Sequence, residues 1–516
     1  MTAMQKSLIV GHHPISKDIE RQLRLLGSDV EYGNLYEEGE GGKCIWDIIF
    51  LLANPEAVNA VDEDLKMMKL LEVLAERYGS SDKRPVVHLL LLDAVSLRIL
   101  QMSDLPTVVN DNLEVYPFTM EDVWAKNIIV HLPGIKTDIY PFLDGKGISA
   151  DSTQTVHAVV CGFGTQAEAI ALHMALTAHF PNYRPDDKVP LRTRITIVDK
   201  EIEEKRDAFI AKYQNLFEHS FYRTVNLKKK NVDFHYPQYF GRRKDFVDVE
   251  WEFVDGSMNH PEMRKALENW LESGKRIVSI FVAHVEDGEC LQECLSLPQA
   301  VYERQVPVFV RQRQSPLIEM LCKRHQYSNV FVFGMHDCGY DVRQPLWKMA
   351  RMLKYFYDCS YGNIGVPTEL PMAQIEESWH REKSFKIRFS NLYNVMTISV
   401  KMRSLGHDDS DAGTFYALTQ KEIELLAETE HNRWVVERLL QGTRPCTDAE
   451  LEAIRQDVKV RKREFKNRDI HFDLRAFDEL EDDGTGKNAK VYDYDLTACI
   501  PLMVTTFYEH NENLGL

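Results

Sequence analysis

The chain has 516 residues, and its 62 lysines and arginines against 79 aspartates and glutamates give a formal net charge of −17. The acidic balance argues against general nucleic-acid binding, which needs a basic surface, and no apolar stretch of the sequence is long enough to span a bilayer. The nine cysteines are scattered without C-x-x-C pairs, so we expect reduced thiols in the cytoplasm. A chain of this length predicts about three domains.

The first section, residues 1–148, predicts a degenerate Rossmann-like domain. Its apolar runs at 7–10, 47–52 and 86–92 are typical of strands in a parallel sheet, and helical patterns separate them at 15–26 and 62–75. The turn after the first strand holds Gly11 followed by His12, His13 and Pro14. Because such bulky residues keep the backbone away from a pyrophosphate, we expect this domain to serve assembly or packing. The alternative that His12 and His13 hold an anion stays open.

The second section opens on a glycine turn. The apolar run 156–161 leads into the sequence G-x-G-x-x-A at 162–167, and a helical pattern follows at once. In such a turn the first glycine permits the tight bend, the second lets the backbone approach a pyrophosphate, and the small third residue lets helix and strand pack closely. The start of the helix offers N–H groups to the phosphates. We therefore predict a dinucleotide site here.

The next predicted strand, 194–198, ends at an acidic residue, Asp199. An acid at this position binds a ribose 2′-hydroxyl and repels a 2′-phosphate, which favours NAD or adenosine over NADP. In this motif the acid usually follows the glycine turn by ~20 residues. Asp199 lies further along the chain than that, and the polar loop 182–191 accounts for the additional residues. The alternative interpretation is a Rossmann-shaped module that binds nothing.

Strands and helices alternate through residues 149–358, which predicts a doubly wound parallel sheet. Residues 201–248 interrupt the alternation as a charged insertion, which either covers the nucleotide cleft or forms an interface. The predicted strands are 156–161, 194–198, 249–254, 276–283, 307–311 and 329–333, and the predicted helices lie near 166–179, 260–272, 289–303 and 315–323.

This second section resembles the N-terminal half of RCK (TrkA-N-type) domains, the nucleotide-sensing modules of potassium channels and transporters. The resemblance implies NAD(H), ATP or AMP held by Gly162, Gly164, Asp199 and Asp255, the last of which ends the third strand. It also implies a homodimer and a membrane protein as a partner. The full set of predicted cofactor contacts is Gly162, Phe163, Gly164, Thr165, Gln166, Asp199, Lys200, Asp255 and His284.

The third section, residues 359–516, carries an ordered set of motifs. Thr419 and Glu422 form a capping box before the helical run 425–438, and Gly442 follows where a helix would end. The run contains H-x-x-W-x-x-E-R, and H-x-x-L, D-E-L, Y-D and I-P follow in that order. These motifs, over about residues 420–505, resemble the ryanodine receptor repeat (RyR domain). The resemblance implies a small, mostly α-helical domain, one copy of which holds an adenine nucleotide in the calcium-release channels.

The RyR-type domain has its own predicted ligand site. Trp434 offers a platform for stacking on a purine, and Arg433, Arg438 and the basic run 461–466 offer charge to a phosphate. The competing interpretation is structural, with Trp434 in the core of the domain. The predicted site residues are Arg433, Trp434, Glu437, Arg438, His471, Tyr492 and Asp493.

No catalytic motif is recognisable, since H-E-x-x-H, G-x-S-x-G and a P-loop are all absent from the sequence. His284 follows a strand end, near Glu286 and Asp287, where a ligand contact or helix cap is more typical than a general base. We therefore interpret the chain as a regulatory nucleotide-binding sensor of the α/β class, with two Rossmann-like doubly wound parallel-sheet domains followed by a small, mostly α-helical RyR-type domain. The alternatives are an NAD-dependent enzyme and an interaction scaffold that binds no ligand.

Overall fold

The computed structural model describes residues 5–33, 46–133, 140–237, 245–314, 316–362, 364–407, 417–456, 464–465, 467–481 and 488–511. The predicted fold class is confirmed, because the chain is an α/β protein in which parallel sheets are flanked by helices. The basic residues of the run 461–466 and part of the insertion 201–248 lie outside the described residues. Within the described ranges, no helix is long and apolar enough to cross a membrane.

The first sheet consists of parallel strands that the sequence predicted in part. Its strands are β1 (Lys6–Val10), β2 (Asp29–Tyr32), β3 (Ile48–Leu52), β4 (Val86–Leu90) and β5 (Glu114–Phe118), in the order β2-β1-β3-β4-β5. Its helices are α1 (Ser16–Leu25), α2 (Ala60–Tyr78), α3 (Ala94–Met102), α4 (Thr107–Asn112) and α5 (Met120–Ile129). The strands that the sequence missed, β2 and β5, lie at the two edges. β2 mixes polar and apolar residues, and β5 contains Pro117, which is tolerated at an edge.

The second sheet contains the glycine turn. Its strands are β6 (Thr155–Cys161), β7 (Thr193–Asp199), β8 (Tyr222–Asn226), β9 (Asn231–His235), β10 (Val249–Asp255), β11 (Arg276–Val282), β12 (Val308–Arg311) and β13 (Val330–Phe333). Its helices are α6 (Thr165–Thr177), α7 (Ile202–Lys212), α8 (Gln214–His219), α9 (Pro261–Glu272), α10 (Asp287–Ser296), α11 (Gln299–Glu303) and α12 (Pro316–Cys322). All the predicted strands of this section are present within one or two residues of their predicted ends.

The strand order of the second sheet is that of a doubly wound dinucleotide-binding fold. Strands β10-β7-β6-β11-β12-β13 follow one another in space, which is the order 3-2-1-4-5-6. The insertion adds the hairpin β8-β9 beyond β10, with β8 parallel to β10 and β9 antiparallel to β8. The order reverses between β6 and β11, and the glycine turn follows β6 at this point.

The C-terminal section is almost entirely helical. Its helices are α13 (Pro345–Tyr361), α14 (Met372–Arg381), α15 (Phe385–Val395), α16 (Ile398–Ser404), α17 (Gln420–Leu440), α18 (Asp448–Gln456), α19 (Lys490–Ala498) and α20 (Ile500–Asn511), with short paired segments β14 (Arg444–Pro445) and β15 (Ile470–His471). The predicted capping box of Thr419 and Glu422 is present at the start of α17, and Gly442 follows its end with a φ of +83°. Helix α13 crosses the predicted domain boundary at 358 and packs against α14, α15, α19 and α20.

The two sheets meet at their carboxyl ends. The helices α5 and α6, which follow strands of different sheets, pack against each other. The segment after β13 returns to the first sheet, where Tyr340 Oη lies 2.6 Å from His88 Nδ1 and Cys338 O accepts a hydrogen bond from Trp124 Nε1 at 3.2 Å. Ligands of parallel sheets bind at carboxyl ends, so this contact brings two candidate binding edges together.

Candidate functional site

The glycine turn between β6 and α6 is a tight bend that ends at a helix N-terminus without a side-chain cap. Gly162 has a φ of +90°, and a Cβ there would lie 3.0 Å from backbone atoms of His284, so the position requires glycine. Gly164 is the N-cap of α6, and no side chain in the described structure caps this helix. The first bond of α6 runs from the Glu168 N–H to Gly164 O at 2.9 Å. The N–H groups of residues 165–167 therefore have no partner within the helix.

Asp199 fixes the glycine turn from the end of β7. Its Oδ2 accepts the backbone N–H of Phe163 at 2.8 Å, and its Oδ1 accepts that of Glu201 at 2.8 Å. Lys205 Nζ, on α7, donates to the two carboxylate oxygens at 3.0 and 3.1 Å. These four bonds fill the acceptor positions of a carboxylate. A ribose hydroxyl therefore reaches Asp199 only by replacing the ammonium group of Lys205.

A cavity of about 290 Å³, which we name the Asp199 cavity, lies at the ends of β6, β7 and β10. It is lined by Cys161, Val198, Asp199, Lys200, Glu201, Lys205, Gly256, Ser257, Met258, Asn259, His284, Glu289, Gln292 and Glu293. The predicted contacts Phe163 and Asp255 are not among these described lining residues. The Phe163 ring packs against Phe209 and Phe253 in the core, and the Asp255 carboxylate accepts a hydrogen bond from Asn226 Nδ2 at 2.6 Å. The Phe163 ring thus anchors the turn in the core, whereas the Asp255 side chain joins the ends of β8 and β10.

A second cavity, of about 380 Å³, lies between the carboxyl ends of the two sheets, and we name it the interdomain cleft. The predicted contacts Gly164, Thr165 and Gln166 line it at the start of α6, and His284 lines this cleft as well as the Asp199 cavity. The first sheet and its loops contribute His13, Pro55, Ala57, Ala60, Leu90, Leu91, Leu92, Met120, Glu121 and Trp124. The two cavities together leave space on both sides of the glycine turn.

Two arginines at the end of β12 also line the interdomain cleft, and the sequence had indicated no role for them. Arg311 is only 7% exposed, and its Nη1 donates to the carbonyl oxygens of His284 and Val285 at 3.2 and 2.9 Å. Arg313 Nη2 donates to Val285 O at 2.8 Å. Within the described part of the chain neither arginine forms an ion pair, and neither Nε atom has a hydrogen-bond partner. Burial, followed by the neighbouring charge of Arg313, lowers the pKa of Arg311.

Two histidines complete the polar lining of the interdomain cleft. Burial, followed by the neighbouring His336, lowers the pKa of His13 to about 4. Burial also lowers the pKa of His336, with further contributions from Arg313 and Arg311. His13 Nδ1 accepts the backbone N–H of Ile15 at 3.3 Å, so the neutral ring carries its proton on Nε2. Besides His284, the cleft therefore holds two permanent cations, Arg311 and Arg313, and the two neutral imidazoles of His13 and His336.

A third cavity, of about 390 Å³, lies among the C-terminal helices, and we name it the aromatic cavity. Tyr357 and Tyr361 of α13 and Tyr492 of α19 form a cluster in its wall, with ring centroids 5.8 to 6.4 Å apart. Trp434 of α17 lines the same cavity and is half-buried, and the guanidinium carbon of Arg438 lies 5.6 Å from the Trp434 ring centroid. The cavity thus offers several aromatic faces and one cation to a ligand.

The aromatic cavity brings together all but one of the residues that the sequence predicted for a C-terminal ligand site. Arg433, Trp434, Arg438, His471, Tyr492 and Asp493 line it. Glu437 does not line this cavity: its side chain is fully buried, accepts a hydrogen bond from Arg433 Nη1 at 2.7 Å, and lines a different, smaller cavity that faces α6. The sequence missed Tyr357 and Tyr361, because they lie on α13, before the motifs begin.

A buried charge network lies behind the aromatic cavity. Arg433 is 1% exposed, and its Nε and Nη2 donate to the Glu430 carboxylate at 2.8 to 3.0 Å. Lys401 Nζ donates to the same carboxylate at 2.6 Å. Burial opposes ionisation of Glu430, but Arg433 and Lys401 outweigh it and lower the pKa of Glu430 to about 2. Because Arg433 is engaged in this network, Arg438 is the better placed cation for a ligand.

A histidine and an aspartate add a polar pair to the aromatic cavity. His431 Nε2 donates to Arg475 O at 2.9 Å, and its Nδ1 lies 3.4 Å from Asp493 Oδ2. Burial works against protonation of His431, but its hydrogen bond to Asp493 and the charge of that residue raise the pKa of the imidazole. Burial raises the pKa of Asp493. The pair therefore holds a proton at the cavity wall.

Comparisons with known proteins add little beyond the fold. No family model matches the chain, and no curated protein matches it. Among solved structures, the chain is similar to the human SLO3 gating ring, with 11% sequence identity and a TM-score of 0.35 over 64% of this chain and 80% of that one. A likeness as weak as this carries no argument about function. A function therefore has to be argued from the geometry of the candidate sites.

Proposed function

We propose that this chain is a regulatory protein that binds NAD or an adenine nucleotide at the glycine turn between β6 and α6. The observation that carries the proposal is the position of this turn. It lies where the strand order reverses, in front of a helix whose first N–H groups have no helical partner, and between two cavities. Doubly wound sheets bind their ligands at this point, and helix N-termini stabilise phosphates.

In this proposal the ligand occupies the two cavities on either side of the turn. The phosphates rest on residues 165–167 at the start of α6. The adenosine ribose lies in the Asp199 cavity, where its hydroxyls replace Lys205 on Asp199 and where Lys200 lines the wall. The second half of a dinucleotide extends past His284 into the interdomain cleft. A mononucleotide uses the Asp199 cavity and the turn alone.

The regulatory part of the proposal rests on the packing around α6. The interdomain cleft has walls from both sheets, and α6 packs against α17, the helix that carries Trp434. A ligand shifts an equilibrium between domain arrangements only by its different affinity for each. We propose that an RCK-like Rossmann domain senses the nucleotide and that the RyR-type domain transmits its state to a partner. Homodimerisation and a membrane-protein partner belong to the same proposal.

The aromatic cavity supports a second candidate site for a nucleotide. Its tyrosine cluster and Trp434 provide faces on which a base stacks, and Arg438 provides a cation for a phosphate. In this version the RyR-type domain binds its own nucleotide or cyclic nucleotide, in addition to the one at the glycine turn.

The main proposal is tested by thermal shift against NAD, NADH, NADP, ATP, ADP, AMP and cyclic nucleotides. A ligand at 100 times its Kd adds about 2.7 kcal/mol to the stability of the folded state. Gly164→Asp is the decisive variant, because Gly164 has an extended backbone and Asp is a favourable N-cap whose charge repels phosphate. Gly164→Ser is the matched control that caps without charge. Loss of binding in the Asp variant alone supports the proposal, and equal binding in both variants contradicts it.

An assay of NAD turnover and the same thermal-shift panel together test the two alternatives. Turnover of NAD by the purified chain, abolished in His284→Ala and retained in Trp434→Ala, identifies an NAD-dependent enzyme. If no compound of the panel raises the melting temperature of the wild-type chain, the interaction scaffold is the better interpretation. Partners then have to be sought among proteins.

A further inference from the structure

Arg311 is a buried cation that forms no ion pair within 4 Å in the described part of the chain, and the carboxylates of Glu121 and Asp287 act on it only at longer range. Proteins seldom bury a charge unless an opposite charge or a ligand compensates it. The two carbonyl groups that hold Arg311 Nη1 fix the guanidinium beside the loop after β11. The residue lines the interdomain cleft, and its buried Nε has no hydrogen-bond partner in the described structure. Arg313 adds a second cation to the same wall. This geometry calls for an anion in the cleft.

Donors from two other elements line the same cleft. The start of α6 contributes the N–H groups of residues 165–167, which lack helical partners. His13 lies in the loop after β1, and its Nδ1 accepts the backbone N–H of Ile15. The neutral ring therefore carries its proton on Nε2, which is the donor that remains for a ligand. Among the described residues that line the cleft, Glu121 is the one carboxylate, and burial raises its pKa. The lining therefore favours a negatively charged group.

The spacing of these donors indicates the size of the anion. β11 is the neighbour of β6 in the sheet, and neighbouring strands lie about 4.8 Å apart. The His284 backbone lies against Gly162, and its carbonyl oxygen accepts the Arg311 guanidinium, so the loop after β11 lies between the two donor sets. One phosphate lies close to one of these two donor sets, whereas two linked phosphates span both.

We infer that the interdomain cleft holds a diphosphate group that both domains grip, through the start of α6, Arg311 and Arg313 on one side and His13 on the other. The inference rests on the proposed function and narrows its ligand to diphosphate-bearing compounds such as NAD, ADP or ATP, and excludes AMP and cyclic mononucleotides as the preferred ligands. It also makes the first domain a part of the binding site, although its own turn lacks the second glycine.

The test uses calorimetric titration of the full chain with inorganic pyrophosphate, inorganic phosphate, NAD and AMP. We expect pyrophosphate to bind more tightly than phosphate and to compete with NAD. Loss of one charge-assisted contact in Arg313→Gln or Arg311→Gln is expected to weaken pyrophosphate binding about ten- to hundredfold. Arg311→Lys keeps the positive charge and loses the two-pronged geometry of the guanidinium. If Arg311→Gln unfolds, a weaker affinity for pyrophosphate in Arg311→Lys serves as the test instead. Lys265→Gln, an exposed site on α9 of the same domain, is the control and is expected to bind normally.

The role of the first domain is tested separately with His13→Gln and with hydrogen exchange. Pyrophosphate is expected to slow exchange in residues 12–15 as well as at the start of α6, and His13→Gln is expected to abolish the first effect. Protection confined to α6 overturns the two-domain grip.

The failures of the two proposals can be told apart. If NAD binds the wild type and the arginine and histidine variants equally well, the diphosphate inference is wrong and the proposed function stands. If pyrophosphate binds through the arginines and no nucleotide of the panel binds, the diphosphate site stands and the proposed nucleotide function is wrong. If pyrophosphate does not bind the wild type, the inference is overturned directly.

Discussion

Lys205 Nζ lies 3.0 Å from Asp199 Oδ2 and 3.1 Å from Oδ1, so the acid that the sequence assigns to a ribose is held by a lysine from the insertion. The insertion therefore does more than extend the sheet through β8 and β9, because α7 also reaches the rim of the Asp199 cavity. Lys205 is 39% exposed, and an ion pair at that exposure is weak. A ligand can displace it at small cost.

Replacing Lys205 with Met should tighten the binding of ribose-bearing ligands. The exchange removes the Lys205–Asp199 ion pair, which competes with the ribose and contributes 0 to about 1 kcal/mol. The affinity for NAD is therefore expected to rise up to about fivefold. Calorimetric titration measures the change. Lys200→Met is the matched control, since Lys200 lines the same cavity and has no described bond to Asp199. Equal weakening in both variants would show that the lysines contact the ligand rather than compete with it.

Replacing Arg433 with Met should destabilise the C-terminal helices strongly. The change leaves Glu430 and Glu437 buried beside too little positive charge, and breaking such a network costs about 3–5 kcal/mol. Urea unfolding followed by circular dichroism measures this loss. Arg24→Met, which removes an exposed pair with Glu20, is the control and is expected to cost less than about 1 kcal/mol. A similar small loss in both variants would show that the network is not structural.

Replacing Tyr361 with Ala separates ligand binding from folding in the aromatic cavity. Tyr361 is 68% exposed and lines the cavity, so its loss should leave the melting temperature nearly unchanged. If a base stacks there, its affinity should fall by the equivalent of about 1–3 kcal/mol. Titration with adenine nucleotides, in parallel with Trp434→Ala, measures the effect. A Trp434 variant that loses stability while neither variant loses affinity would assign Trp434 to the core alone.

The first sheet should lose stability as the pH falls below neutrality. Burial lowers the pKa of His88 from 6.5 to about 3, so the folded state favours the neutral ring. The stability from this difference is complete above pH 6.5 and is lost as the pH falls toward the folded-state value. Between pH 7 and pH 5 the loss from this one group is about 2 kcal/mol. Urea midpoints at the two pH values measure it.

His88→Phe is the variant that isolates this effect. It keeps a ring stacked 4.4 Å from Phe50 and removes the titratable group, along with the contact to Tyr340. The variant is expected to be less stable at pH 7 and to lose less stability on acidification than the wild type. An equal acid-induced loss in both proteins would assign the pH dependence to other groups.

The sequence predicted the features that depend on local patterns. The apolar run before Gly162 and the helical pattern after Gly164 were enough to predict the turn, because the left-handed backbone at Gly162 is one that other residues rarely adopt. Likewise Thr419 and Glu422 were enough to predict the start of α17, because a capping box is formed by residues three apart in the chain.

Features that depend on tertiary contacts were not predictable. Arg311 looked like an ordinary strand end, and only the neighbouring loop after β11 and the facing domain make it a buried cation in a cleft. Glu437 lies three residues from Trp434, and the helix that carries both is buried around most of its circumference. Spacing alone could not show that the two side chains serve different cavities.

The contact between the carboxyl ends of the two sheets has a kinetic consequence. A ligand in the interdomain cleft is enclosed by loops from both sheets, such as the one after β1 and the one after β11. Such a ligand contacts both domains at once, so it leaves only when the contacts to both have broken, and its dissociation rate reflects the two sets of contacts together. We expect long residence times, and a signal that persists after the free ligand has fallen.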